Sequence, residues 1–356
     1  MKIAILHDYF DKKGGGERLI LNLARALKAD VYTGFVDYKK TFSTRGLKIK
    51  SLGVKKWLPV ILRNYSIAKK FERYKFPKYD AFIISGFWSV SASGNHPSIL
   101  YCHTPPRFMY DLRKYFLKNA NPILRPILKM FIKYWKPKDQ FYMKQFNKIC
   151  PNSENVRKRV LKYYGKKLYE KCEVVYTGIE TKKFYYKKEE GFYLSTARLD
   201  PLKRIDLIIN AFRQMPSRKL FITGAGPEKT RLQKIAKGYE NISFLGDVSE
   251  QKLLDLYARC NAVIVAAKDE DLGLSAIEAQ AAGKPVVAVK EGGFTETVNT
   301  KTGIYFKANA NSLIKAIEKT EKTKWNRKEL QKNAGRFDIN IFIKKIRKII
   351  NDVIYE

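Results

Sequence analysis

Residues 261–289 read NAVIVAAKDEDLGLSAIEAQAAGKPVVAV. The apolar run 261–267 reads as a buried strand, and PVVAV (285–289) as the next one. Between them an acidic turn, Asp269-Glu270-Asp271, leads into a small-residue helix expected from near Leu272 to Gly283. Strand, loop, helix, strand is one parallel β-α-β unit. In open α/β sheets a ligand binds outside the carboxyl ends of the strands, and Glu270 sits at such an end. Glu278 follows eight residues later, about two turns into the helix. Free backbone N–H groups at a helix start form a ready anion site. Two carboxylates around an anion site suit a ligand with hydroxyls on both sides of a phosphate, and a sugar nucleotide is such a ligand.

The bulk composition narrows the classes. A chain of 356 residues suggests two or three domains. It is 45% hydrophobic and 13% aromatic, which fills large cores and leaves little room for disorder. The formal charge is +36, from 70 Lys and Arg against 34 Asp and Glu. That surface attracts nucleic acid, anionic lipid or phosphorylated substrates, unless it reflects only a lysine-rich genome. The four cysteines, Cys102, Cys150, Cys172 and Cys260, form no C-x-x-C pair, and with His7, His96 and His103 they give no zinc spacing. They are expected as free thiols in a reducing, cytoplasmic compartment. MKIAILHDYF has too short an apolar stretch for a signal peptide, and no run of 18 apolar residues exists. A membrane contact would therefore be peripheral.

The same alternation runs through the chain. KIAIL (2–6), ADVYTGF (29–35), YDAFIISG (79–86) and SILYCH (98–103) read as strands, as do a short piece in KICPN and VVYTGI (174–179). A helix is expected over 17–29, preceded by Gly14, Gly15 and Gly16, where a backbone can approach an anion closely or simply turn. FYLSTA (192–197), KLFIT (219–223) and NISFLGDV (241–248) restart the pattern. Two doubly wound α/β halves follow, divided as 1–170 and 171–336, with the final basic helix 337–356 returning to the first half. The segment 47–76 is basic and aromatic. Residues 120–148 read as an amphipathic helix with Ile123, Leu124, Ile127, Leu128, Phe131, Ile132 and Trp135 on one face. Such a helix can pack on the domain, lie on an anionic membrane, or line an acceptor groove.

Three further features carry chemistry. His103 ends a strand before the Pro-stiffened TPPR loop, a position that favours function over structure. Arg198 and Lys203 share one turn after a strand, where two fixed cations stabilise a diphosphate leaving group without a metal. GAGPEK has Gly224 and Gly226, but Lys229 stands where a dinucleotide fingerprint needs its third glycine, so a Rossmann dehydrogenase is disfavoured.

These pieces together resemble the family 4 retaining glycosyltransferases of the GT-B fold, and most nearly their O-antigen and exopolysaccharide mannosyltransferase-like branch. The resemblance rests on GGGER (14–18), YCHTPPR (101–107), NSENVRKRV (152–160), TARLDPLKRIDLII (196–209), GAGPE (224–228), EDLGLSAIEAQAAGKPVVA (270–288) and GGFTETV (292–298), in order. It implies two Rossmann-like domains facing a central cleft. The expected reaction moves a hexose, mannose above others, from a GDP- or UDP-sugar to a glycan or lipid-linked acceptor, with no cofactor, no essential metal and no nucleic-acid partner. Arg198 and Lys203 would hold the diphosphate. Glu270 would bind donor-sugar hydroxyls, helped by the backbone of Gly273, Leu274 and Ser275, and Glu278 would bind the ribose. Gly15 and Gly16 would face the diphosphate, and His103 the reacting sugar. Leu272, Gly16, Ala266 and Ala267 depart mildly from the family pattern. A nucleotide-sugar epimerase of the same fold is the alternative enzyme, and a nucleic-acid-binding protein the alternative class.

Overall fold

The computed structural model describes residues 1–355. The chain forms two compact units, Met1–Tyr176 with Phe342–Glu356, and Thr177–Ile341. Each is built on one six-stranded sheet whose neighbouring strands all pair in parallel. The strands of the first sheet are β1 (Ile3–His7), β2 (Asp30–Thr33), β3 (Ile49–Ser51), β4 (Ala81–Ser85), β5 (Ser98–Cys102) and β6 (Lys148–Pro151). Those of the second are β7 (Phe192–Thr196), β8 (Lys219–Thr223), β9 (Ile242–Gly246), β10 (Ala262–Val265), β11 (Val286–Val289) and β12 (Gly303–Phe306). Runs such as IAILH, AFIIS, AVIV and VVAV are buried at every position, as a parallel sheet covered on both faces requires.

The spatial orders are β3-β2-β1-β4-β5-β6 and β12-β11-β10-β7-β8-β9. Both are the doubly wound order in which the winding reverses between the first and fourth strands. The reversal opens a crevice at the carboxyl ends of β1 and β4 in one unit, and of β7 and β10 in the other. Every site residue expected from sequence belongs to a segment that leaves one of these sheets at that end.

The structure corrects several details. VVYTGI is an extended connector, not a strand. Glu173 and Val175 donate to Ile149 and Pro151 of β6, while Ile179 donates to Phe337. Those bonds tie residues up to 176 to the first sheet, so the division falls after Tyr176 rather than after residue 170. β3, β12 and the helix α2 (Val60–Arg73) had no separate reading in the sequence. The first helix, α1, covers Gly15–Leu27 and so includes two of the three glycines. The acidic-turn helix begins at Leu274 instead of Leu272, because Gly273 adopts φ 89° as its cap. Glu278 therefore lies little more than one turn inside it. The helix read over 120–148 is shorter, α4 (Arg125–Gln145), and a separate short helix, α3 (Arg113–Asn119), precedes it. Its expected apolar face divides. Ile132 and Trp135 are buried, but Ile123, Leu124 and Ile127 are exposed. The buried stripe of α4 is Ile132, Trp135, Asp139, Tyr142 and Met143. All four cysteines are buried and unbridged.

Candidate active site

In the second unit, β7 runs into a turn whose 3-10 segment, Pro201–Lys203, is capped by the Asp200 carboxylate accepting from the Leu202 N–H at 3.0 Å. This turn carries Lys203 to Glu270, and the ammonium donates to Oε2 at 2.6 Å. Burial pulls the Lys203 pKa down, but the Glu270 carboxylate outweighs it and holds the ammonium above its ordinary value. The pair is built on a clamped backbone. Lys268 N–H donates to Leu202 O at 2.7 Å, and Gly293 N–H donates to Glu270 O at 2.8 Å. Arg204 pairs with Glu291 at 2.9 Å, and Glu291 also accepts from the Asp269 N–H at 3.4 Å.

Glycine is required at two positions of this clamp. Gly292 has φ 54°, and a Cβ there would lie 2.6 Å from the Glu270 nitrogen. A Cβ on Gly273 would lie 2.4 Å from the Phe294 ring. Leu274 and Ser275, half-buried, then open the helix Leu274–Ala281, whose first N–H groups point out of its N-terminal end.

Glu278 is held differently. The fully buried Tyr257 donates its hydroxyl to Glu278 Oε2 at 2.6 Å and meets Thr196 Oγ1 at 2.7 Å. Burial first, then the Glu278 charge, raise the Tyr257 pKa far above its ordinary value, so the phenol stays protonated. Arg198 lies exposed at the start of the same turn as Lys203. The turn is braced by GAGPEK, since Leu199 N–H donates to Ala225 O at 2.9 Å. Cβ atoms on Gly224 and Gly226 would each lie 2.2 Å from carbonyls of Ala197 and Leu199. Those two glycines therefore serve close backbone packing.

In the first unit, the crevice is a cavity of about 240 Å³ lined by residues that follow β1, β4 and β5, with contributions from α1 and α4, including Asp8, Gly16, Gly86, His103 and Asp139. A single water occupies roughly 10–15 Å³ of such space, so a sugar ring fits. His103 Nε2 meets Ser85 Oγ at 2.9 Å, and His7 Nδ1 meets Ser85 O at 2.7 Å. Burial, with His7 nearby, pushes His103 down to about 4, so its imidazole is neutral at pH 7. Gly16 lies against that ring, where a Cβ would be 3.6 Å from Cε1. Asp8 accepts from the N–H groups of Phe87, Trp88 and Ser89 at 2.7, 3.0 and 2.8 Å, which fixes the loop after β4. On α4, Asp139 accepts at Oδ2 from Tyr110 at 2.6 Å and from Tyr164 at 2.8 Å. Burial raises Asp139 to about 6 against those two bonds.

Lys203 and Glu270 are thus brought into contact, and His103 and Gly16 are brought into contact. Tyr257, Thr196, Asp8 and Asp139 were missed. Asp139 had a readable signal, a carboxylate at helical spacing on a buried stripe. Tyr257 had none, because its partner comes from a different helix.

A family model described as Glycosyltransferase Family 4 matches residues 13–183, and one described as Glycosyl transferases group 1 matches residues 179–337. Together the two models span residues 13–337, and the chain is a glycosyltransferase. A D-inositol 3-phosphate glycosyltransferase of Mycobacteroides abscessus is 34% identical over 131 residues, which cover 34% of this chain and 29% of that one. This glycosyltransferase thus matches less than a third of that relative's length. The alpha-1,3/1,6-mannosyltransferase ALG2 of Dictyostelium discoideum is 24% identical across 98% of each chain. Among solved structures, Anabaena Alr3699/HepE in complex with UDP and glucose superposes with a TM-score of 0.75 at 18% identity, over 99% of each chain. That likeness establishes the GT-B fold for the glycosyltransferase. None of these matches favours an epimerase. No helix among the described residues is long and apolar enough to cross a membrane.

Proposed function

We propose that this glycosyltransferase transfers a hexose, with retention of configuration, from a nucleotide diphosphate sugar to a hydroxyl of a glycan or lipid-linked acceptor, as in O-antigen or exopolysaccharide assembly. The observation that carries the donor assignment is the Lys203–Glu270 pair at the second unit's reversal point, beside an open helix N-terminus. A diphosphate needs cations and N–H donors, and a sugar needs a carboxylate that accepts from its hydroxyls. Lys203, Arg198 and the helix start supply the first set, Glu270 the second, and Glu278 suits the ribose. As the glycosidic bond breaks, charge develops on the leaving diphosphate, and these groups act most strongly at that point. The attacking hydroxyl gives its proton to a leaving-group oxygen. Fixed cations fill the role that a metal would otherwise take, so turnover should survive a chelator.

The acceptor is assigned to the first unit's cavity. Its neutral His103 can exchange a hydrogen bond with a hydroxyl without adding charge. Mannose is the favoured sugar, in keeping with a full-length mannosyltransferase relative. No nucleic acid is involved, and the enzyme works from the cytoplasmic side. The test is thermal melting with a panel of GDP- and UDP-sugars. A ligand at 100 times its Kd adds about 2.7 kcal/mol. We expect GDP-mannose to raise the melting temperature most. A panel in which no nucleotide sugar shifts melting would refute the donor site.

A further inference from the structure

The side of α4 that faces solvent is apolar. Ile127, Met130, Tyr134 and Phe141 recur at i, i+3, i+7 and i+14, which is one edge of a helix, and all are exposed. Ile123, just before the helix, extends the stripe at 82% exposure, and Met130 is 70% exposed. The opposite edge is already buried in the unit. A helix apolar on both edges is unusual for a solvated surface.

α2 continues this surface. Tyr65 lies 6.4 Å from Tyr134 and from Trp135, and Tyr142 donates to Glu72 at 2.8 Å. Numbering rises in the same direction on both helices, so they run parallel and their first turns lie at the same end. Trp57, 71% exposed, with Val60 and Leu62 thus join Met130 and Ile127 at that end. Two segments that look separate in sequence pack side by side.

Charge surrounds it. Residues 113–138 hold eight Lys and Arg and no Asp or Glu. Along one flank of the stripe, Arg113, Lys129, Lys133 and Lys136 line a groove of about 580 Å³ that also contains Met130 and no carboxylate. Cations concentrated at the border of an exposed apolar strip match a bilayer that carries anionic headgroups: the strip enters the acyl boundary and the groove takes phosphates. A soluble polyanion would use the cations and leave the strip in water.

We infer that the combined α2–α4 face docks this enzyme on an anionic phospholipid bilayer, with a lipid phosphate in the groove of Arg113, Lys129, Lys133 and Lys136. The inference goes beyond the transfer reaction and does not depend on it. The test is flotation of the full chain with vesicles of phosphatidylcholine, alone or with a third of phosphatidylglycerol. Wild type should prefer the anionic vesicles at least tenfold, and high salt should remove the preference. Ile127→Glu with Met130→Glu should lower binding at least tenfold. Lys129→Glu with Lys133→Glu should remove the anionic preference. Melting curves identify any variant that has not folded, and nucleotide-sugar melting shifts, read without vesicles, should be unchanged. Equal binding to both vesicles, no binding to either, or variants that bind like wild type would overturn the docking face.

Discussion

The two reversal points share a strand order and differ in electrostatics. In the second unit the crevice is ionic, with Lys203 against Glu270, Arg204 against Glu291, and a helix N-terminus beside them. In the first unit it is desolvated, with a neutral His103 and a carboxyl, Asp139, buried under two tyrosine hydroxyls. One topology therefore supports two recognition chemistries. Fixed opposite charges suit a diphosphate and its sugar. A neutral imidazole, in a cavity whose carboxylates Asp8 and Asp139 are already hydrogen-bonded, suits a hydroxyl that must stay uncharged until it attacks.

The strongest break of this contrast is at the ionic end. Lys203→Ala or Glu270→Ala should each lower kcat by about 10²- to 10³-fold, the range for removing one preorganised group from a developing charge. Each also leaves its partner charge uncompensated in a half-buried turn. Steady-state kinetics with the donor found by melting measures the effect. Turnover within a few-fold of wild type in either variant would remove the pair from the chemistry.

The desolvated end is tested by pH. Asp139 ordinarily titrates near 3.8 and is pushed to about 6, so between these values the folded chain holds a proton that the unfolded chain has released. Stability contributed there falls as pH rises through that window. His103 acts in the opposite sense. Its ordinary value of 6.5 drops to about 4, so the unfolded chain gains the proton first and stability falls as pH falls. Asp139→Asn removes only the first effect. Relative to wild type, the variant should gain stability from pH 4 to pH 7, by up to about 3 kcal/mol. Urea midpoints at both pH values read the difference, and a pH-independent gap would mean Asp139 is not perturbed by burial.

A smaller effect is expected where the two chemistries meet within one unit. Tyr257 is an apolar-core residue whose hydroxyl orients the Glu278 carboxylate. Tyr257→Phe should weaken nucleotide binding about tenfold, ~1.4 kcal/mol. Calorimetric titration with GDP and UDP checks this. Unchanged affinity with a lower melting temperature would make the bond purely structural.

Local chemistry was legible where it lay within one short segment. The unbroken apolar strands, the small-residue helix after Glu270 and the cationic turn after β7 each announce themselves by composition and spacing. β3 and β12 are short strands at the sheet edges, three and four residues long, and left little pattern. The Lys203–Glu270 contact joins residues 67 positions apart, and only the strand order brings their segments together. The division of α4 into two apolar edges was hidden because periodicity reports which residues share a side, not which side meets the protein.

The glycines give the finest comparison between the two crevices. Gly273 is closed to substitution, with φ 89° and the Phe294 ring where a side chain would go. Gly16 lies in the first turn of α1 without a left-handed φ, and a Cβ there meets only His103, at 3.6 and 3.8 Å, an ordinary contact. Alanine limits the unfolded chain more than glycine and favours helix by roughly 0.5–1 kcal/mol. Gly16→Ala should therefore raise the melting temperature by about 1–3 °C, and turnover should stay within about threefold. A large loss of donor affinity in a folded, stabilised Gly16→Ala protein would show that a phosphate approaches this backbone more closely than a methyl group allows. A lower melting temperature would instead show that the His103 ring cannot yield, making Gly16 as closed as Gly273.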